Sequence, residues 1–222
     1  MSQQLINHSR DLKRLRDEGY EIEVRGGYLL IHHIPFVDQN KQIQYGALVS
    51  TLTLSNNTQT GKPDNHVIHF IGDNPCEIDG TGITAIQHSN VTTVLSNQIT
   101  VNRSFSNKPA AGYPDYYQKI KRYADIISAP AKYLDPSVTE KTFKVIADSS
   151  NETVFQYIDT NSSRANIEVI NSKLTGQKVA IIGLGGTGAY VLDMITKTPV
   201  KEIHLFDGDS FDQHNAFRSP GA

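Results

Sequence analysis

The sequence predicts an α+β domain, a mostly antiparallel sheet with helices, over residues 1–158, followed by the first β-α-β unit of an α/β domain. Three observations carry this reading. Short alternating or β-branched runs, separated by Asn-, Asp- and Gly-rich connections, fill the chain up to Phe105. A helical stripe of Tyr116, Ile120, Tyr123 and Ile127 follows, at spacings of four, three and four. Further on, the β-branched run KVAII leads directly into a string of glycines.

Taken in order, the first element spans Ser9 to Gly19. Leu12 and Leu15 share one face among charged residues, with Ser9 as N-cap and Gly19 as stop, which predicts a short surface helix. EIEVRGGYLLIHHI reads as two strands joined at Gly26-Gly27, because paired glycines supply the positive φ angles of a tight hairpin. Further strands are expected at 47–54, 67–71 and 99–105, with TLSNNTQTGKPDN as a loop. The stripe starting near Asp115 predicts a helix that covers one face of the sheet and ends at Pro130. FKVIA and TVFQYI, separated by DSSNE, read as a last hairpin. The polar stretch DTNSSRAN marks the boundary, so that 159–177 is a linker with a short helix carrying Ile167, Ile170 and Leu174. KVAII is then a strand buried on both faces, opening a partial domain over 178–222.

Composition narrows the function. With 21 Lys+Arg against 23 Asp+Glu the formal charge is -2, which argues against nucleic-acid binding driven by counterion release. The one cysteine, Cys76, leaves no intramolecular disulfide and reads as a small buried hydrophobe. The segment MSQQLINHSR lacks the apolar core of a secretory signal, and no run approaches the roughly 20 apolar residues of a membrane span. The default expectation is a cytoplasmic protein without a membrane partner. No metal site is expected from His32, His33, His66, His69 and His88, since on strands the adjacent or odd-spaced pairs face opposite ways.

The chemistry lies in Gly183-Leu184-Gly185-Gly186-Thr187-Gly188, which opens a helix expected over 189–197 and leads to a second strand, EIHLF. Glycines let backbone N–H groups come close to phosphate oxygens, and a helix N-terminus adds partial positive charge. The string is either a nucleotide-binding turn or only a tight packing turn. A strand before it, a helix after it and Asp207, 21 residues after Gly186 and able to bond ribose hydroxyls, favour the nucleotide and a Rossmann-like unit.

After the turn comes Asp207-Gly208-Asp209, five residues, Asn215, two residues and Arg218. This D-x-D-x5-N-x2-R string behind GxGGxG resembles the ThiF/MoeB/HesA family of adenylyltransferases, to which the catalytic domains of ubiquitin-activating enzymes belong. The resemblance starts at about residue 160. It implies ATP and Mg2+ as cofactors, and attack by the C-terminal glycine carboxylate of a ubiquitin-like or sulfur-carrier protein on the α-phosphate. By the same resemblance Gly183, Gly185, Gly186 and Gly188 form the phosphate turn, with Gly186 touching phosphate, and Asp207 holds the ribose. His214 and Asn215 line the nucleotide, and Arg218 is the catalytic residue that grips the phosphates. Asp209 either orients the loop or lies near the magnesium. Arg164 is either the counterpart of an arginine that family members often supply from a segment before the first strand, sometimes from the partner subunit of a homodimer, or only a solvated linker residue. Where the family usually carries Gln after Arg218, this chain has Ser219-Pro220.

Other family groups, namely a lysine, a magnesium-binding aspartate, zinc-binding Cys pairs and a thioester-forming cysteine, would fall beyond Arg218. The expectation is therefore a fragment or a degenerate copy, inactive alone. The first domain carries no motif of a recognised family; from the domain arrangement alone, an accessory domain ahead of a ThiF-like module as in bacterial proteins, it is expected to dock the ubiquitin-like partner or a conjugating enzyme. Two other readings stay open. One is a non-catalytic, truncated ThiF-like interaction protein; the other is an NAD-dependent oxidoreductase, favoured by Asp207 but not by Asn215 and Arg218.

Overall fold

The computed structural model describes residues 2–56, 58–96, 98–146, 154–155, 159–165 and 167–220. The chain forms two compact units, Met1–Ser149 with Tyr157–Asn166, and Ser150–Gln156 with Ile167–Ala222.

In the first unit, helices α1 (Ser2–His8) and α2 (Arg10–Asp17) precede the sheet. Helix α2 starts after Ser9 and stops at Gly19, whose φ of +99° suits glycine. It is not the surface helix expected from its charges. Leu12 and Leu15 are fully buried together with Leu5 and Ile6 of α1, a helix the sequence reading did not foresee. Ser9 does not cap α2 with its side chain; its hydroxyl accepts the Thr60 N–H at 3.0 Å.

Strands β1 (Glu21–Arg25) and β2 (Tyr28–Val37) pair antiparallel through Gly26 and Gly27, with φ of +54° and +77°, as a two-residue primed turn requires. β3 (Ile43–Thr51) pairs with β2, and their register slips between Ile31 and Ile34, where His33 adopts φ +58°. The segment expected as loop contains a small hairpin, β4 (Leu54–Asn56) with β5 (Gln59–Thr60). Next come β6 (Val67–Ile71), β7 (Gln87–Ser89), β8 (Thr93–Ser96), β9 (Ile99–Val101) and β10 (Arg103–Ser106). The single strand expected at 99–105 is thus two strands. They part at Asn102, whose N–H donates to the Phe70 carbonyl and whose Oδ1 accepts the Gly72 N–H, both at 2.9 Å. β9 pairs with β8 in a separate ribbon, while β10 joins the main sheet, ordered β1-β2-β3-β6-β10-β7.

Helix α3 (Tyr116–Leu134) starts at Asp115, whose carboxylate accepts the Gln118 N–H at 2.8 Å. Its stripe of Tyr116, Ile120, Tyr123 and Ile127 is fully buried in a core with Leu29, Ile31, Leu48 and Phe70. Tyr28, Leu30 and Val49 form a second cluster with Leu95, Ile99 and Val101 of the β8–β9 ribbon. Pro130 does not end α3, which runs on to Leu134. An interior proline removes one backbone hydrogen bond, at a cost of about 3 kcal/mol. Here Pro130 and Ala131 are themselves buried, and the Asp135 N–H closes on the Ala131 carbonyl at 2.9 Å, so core packing and the resumed ladder outweigh the loss. The stretch 143–146 carries no strand, and the rest of the expected FKVIA–TVFQYI hairpin lies outside the described residues apart from Val154 and Phe155, which also carry none. Helix α4 (Asn161–Ala165) closes this unit.

Lys119 of α3 is fully buried, and its Nζ donates to Ser50 Oγ at 2.9 Å with no carboxylate in ion-pair range among the described residues. Burial pushes its pKa down to about 8, opposed only by the more distant charge of Asp64. In the unfolded chain the lysine titrates near its ordinary value of 10.5. Between about 8 and 10.5 the unfolded state therefore holds more protons than the folded one, and stability rises with pH across that window. Below it, the folded protein carries the full cost of a buried ammonium. Lys119→Met is expected to raise the unfolding free energy at pH 7 by about 1–3 kcal/mol. That gain should shrink as pH approaches 10.5, as chemical denaturation at several pH values would show.

The second unit holds α5 (Glu168–Asn171), β11 (Lys178–Ile182), α6 (Gly186–Ile195), β12 (Glu202–Phe206) and α7 (Gln213–Ala216). β11 and β12 are parallel, in register from Lys178↔Glu202 to Ile182↔Phe206, with α6 between them in the chain. Helix α6 starts three residues before the expected 189, directly in the glycine string. The helix expected over Ile167, Ile170 and Leu174 is a single turn, α5, followed by looser turns. KVAII is not buried on both faces: Ile181 is 7% exposed but Ile182 is 86% exposed. A two-stranded sheet has too few neighbours to cover both sides of either strand. No helix among the described residues is long and apolar enough to cross a membrane.

Candidate functional site

The chain leaves β11 at Gly183, whose φ of +86° lies in the left-handed region that favours glycine. Its N–H donates to the Phe206 carbonyl at 2.8 Å, so the turn begins pinned to the end of β12. Asp207 follows immediately. One carboxylate oxygen accepts the Leu184 N–H, and the other accepts the Asp209 N–H at 2.9 Å. The backbone N–H groups of Asp209 and Leu184 hold the Asp207 carboxyl below the usual carboxylate range, so it is ionised at neutral pH.

The four glycines of the turn have different physical reasons. Gly183 is required by its φ. At Gly188 a Cβ would lie 1.8 Å from the Gly183 carbonyl oxygen, so only glycine lets the start of α6 fold back on the turn. Gly185 and Gly186 are different: a Cβ on either would meet no protein atom within 4 Å, and neither has a positive φ. The fold makes no demand for glycine at these two positions. Open space lies beside both at the start of α6. Ala189 donates the N–H that closes on the Gly185 carbonyl at 3.1 Å, and no side chain caps the donors before it.

A second group of residues gathers at α7. Asp212 and Asn215 form a reciprocal capping box, in which Asn215 Oδ1 accepts the Asp212 N–H at 2.9 Å. Asn215, taken from the sequence as a nucleotide-lining residue, thus also holds its own helix in shape. Asp212 was missed, although the D-x-x-N spacing at a helix start was a readable signal. Arg218 Nε donates to the His214 carbonyl at 3.3 Å, and among the described residues the guanidinium makes no ion pair. No hydrogen bond among the described residues joins this group to the Asp207–glycine group. Arg164 lies on α4, its side chain outside the described residues.

In the first unit three histidines have separate partners. His32 bonds Glu23 at 2.8 Å, His33 stacks on Tyr45 with centroids 4.1 Å apart, and His88 bonds Ser104 at 2.9 Å. Among the described residues no three His, Cys, Asp or Glu side chains gather to hold a metal ion. Cys76 is buried, its thiol donates to the Asn74 carbonyl at 3.2 Å, and burial raises its pKa, all of which keep it protonated.

Comparison with protein families gives two matches in succession. Residues 10–160 match the family described as Domain of unknown function (DUF6791), and residues 159–222 match the ThiF family. The second match starts where the motif resemblance does. Searches of curated proteins and of solved structures give no match.

Proposed function

We propose, for a chain that belongs to the DUF6791 family and runs on into a ThiF-family segment, that its glycine turn is the phosphate-binding part of an ATP site used to adenylate a carrier protein. The observation that carries this reading is the pair Gly185 and Gly186, whose missing side chains serve no packing and no backbone strain within the chain. A triphosphate fits such a cradle, since it needs close N–H donors at a helix start.

In this reading the N–H groups of Gly186, Thr187 and Gly188 donate to phosphate oxygens. Asp207, already fixed by two N–H bonds, uses its remaining lone pairs for ribose hydroxyls. His214 and Asn215 flank the nucleotide. Arg218, with Nε turned to the His214 carbonyl, offers its two Nη groups to the phosphates in the paired geometry that lysine cannot copy. Mg2+ would neutralise phosphate charge, with Asp209 as a carboxylate able to hold it. The C-terminal glycine carboxylate of a ubiquitin-like or sulfur-carrier protein forms a bond to the α-phosphorus as the bond to the bridging oxygen breaks, releasing pyrophosphate. Both reactants are anions, so positioning and fixed positive charge supply most of the rate. In the same reading Arg164 reaches the phosphates across a homodimer, the DUF6791 region docks the carrier or a conjugating enzyme, and the protein works in the cytoplasm.

One observation favours a second reading. Ile182, Phe206 and Leu205 lie exposed on the β11–β12 pair, as they would if this unit served as a non-catalytic interaction module. Calorimetry on the 222-residue chain separates the readings. Saturable ATP binding is expected. NAD binding without ATP binding would mean an oxidoreductase-type site, and binding of neither would leave the interaction module.

A further inference from the structure

The first unit has a cleft of about 600 Å³ between the start of α2, the β4–β5 hairpin and the start of α3. That volume suits a small ligand or a short peptide segment. Arg10, Arg14 and Lys62 line it, together with Thr60, Asp115 and Tyr117.

Among the described residues no ion pair forms between the charged side chains that line this cleft. The Asp11 carboxylate, also in the wall, is buried and consumed: one oxygen accepts the Thr60 hydroxyl at 2.6 Å and the Leu12 N–H at 2.9 Å, the other the Tyr116 N–H at 3.1 Å. Asp115 is taken up by the Gln118 N–H as the α3 cap. Both carboxylates keep their charge but bond to backbone and hydroxyl donors, not to the cations. Arg14 is partly satisfied, with Nε on Glu18 at 3.1 Å and its guanidinium carbon 3.8 Å from the centre of the Tyr117 ring. Arg10 and Lys62 have no ion pair and no side-chain hydrogen bond among the described residues, and both are exposed.

We infer that this cleft is a binding site for a phosphate monoester. Arg10 and Lys62, which have no protein partner among the described residues, can both donate to one phosphate group, whose charge of about -1.5 to -2 and three acceptor oxygens exceed what a single carboxylate offers. Arg14, stacked on Tyr117, adds a further donor, and arginine geometry suits phosphate oxygens. The phosphate is either a free small molecule or a modified side chain of a partner protein. The site lies wholly within the DUF6791 region and does not depend on the ATP reading of the glycine turn.

The test is a titration of amide chemical shifts in the full chain with inorganic phosphate, with a short peptide carrying one phosphoserine, and with the same peptide carrying glutamate. Saturable shifts of the Thr60, Gly61 and Gln118 amides are expected, weakened at least about tenfold in the Arg10→Ala/Lys62→Ala double variant, with an unchanged melting temperature because both side chains are exposed. Shifts at the Gly183–Gly188 amides report the separate turn and leave this assignment unaffected. Tighter binding of the phosphopeptide than of inorganic phosphate assigns the source to a modified protein; equal binding assigns it to a free phosphate. No saturable shift with either probe, equal affinity in the double variant, or a glutamate peptide that binds as well as the phosphopeptide would each overturn the inference.

Discussion

Gly188→Ala is expected to unfold the turn between β11 and α6, whereas Gly186→Ala, two residues away, is expected to leave the fold intact and weaken ATP binding at the proposed site. At position 188 the added Cβ would lie 1.8 Å from the Gly183 carbonyl oxygen and 2.9 Å from its carbonyl carbon, both backbone atoms without a flexible end to swing away. The clash must be relieved by moving α6 or the turn, which strips the Gly183 N–H from the Phe206 carbonyl. Overpacking of this kind costs about 1–3 kcal/mol or more. At position 186 the new methyl would meet no protein atom within 4 Å, and as the first residue of α6 it even gains helix propensity, worth up to about 1 kcal/mol. In the proposed ATP site the same methyl would stand where phosphate oxygens approach. Hydrogen exchange at the Gly183 amide should read the first effect. Calorimetry should read the second as a loss of ATP affinity of about tenfold or more. Unchanged ATP affinity in Gly186→Ala would leave its glycine unexplained and remove the main support for a nucleotide site.

Arg218→Ala carries the other large effect. Its guanidinium is exposed, tied only through Nε to the His214 carbonyl, and not spent on any ion pair among the described residues. Removing it should hardly alter folding, since exposed side chains without partners contribute little. If it grips the phosphates as they rearrange, its loss should lower carrier-dependent ATP–pyrophosphate exchange, measured on a chain that also carries the family's lysine and magnesium-binding aspartate, by about 100-fold, the usual scale for deleting one preorganised donor. Arg218→Lys should recover only part of this, because an ammonium keeps the charge but not the paired geometry. Exchange unaffected by Arg218→Ala would remove Arg218 from the site.

Local signals were legible in the sequence because a few neighbouring residues decide them. Gly26-Gly27 needs nothing beyond its own backbone to make a hairpin, Asp115 reaches a donor only three residues away, and VIHFI at 67–71 is rich enough in β-branched and aromatic residues to be read as β6. Where distant contacts decide, the reading went astray. Pro130 looks like a stop until its burial and that of Ala131 are seen, and Leu12 and Leu15 look like a thin surface stripe until α1 is seen to bring Leu5 and Ile6 into the same core. Asn102 breaks a strand-like run by bonding Phe70 and Gly72, partners about 30 residues earlier, which no periodicity reveals. The site shows the same division. The spacing from Gly186 to Asp207 was visible, but not that the Asp207 carboxylate is already engaged by the Leu184 and Asp209 N–H groups. Nor could the sequence separate Gly188, held by sterics, from Gly185 and Gly186, which are not.

The most direct test of the central claim is a titration of the chain with MgATP followed by amide chemical shifts. The account predicts saturable shifts at Gly185, Gly186 and Thr187, at Asp209 beside the carboxylate of Asp207, and at His214 and Asn215 around α7. Saturation that moves other residues while the Gly185–Thr187 amides stay still, or no saturable shift at all, would contradict it.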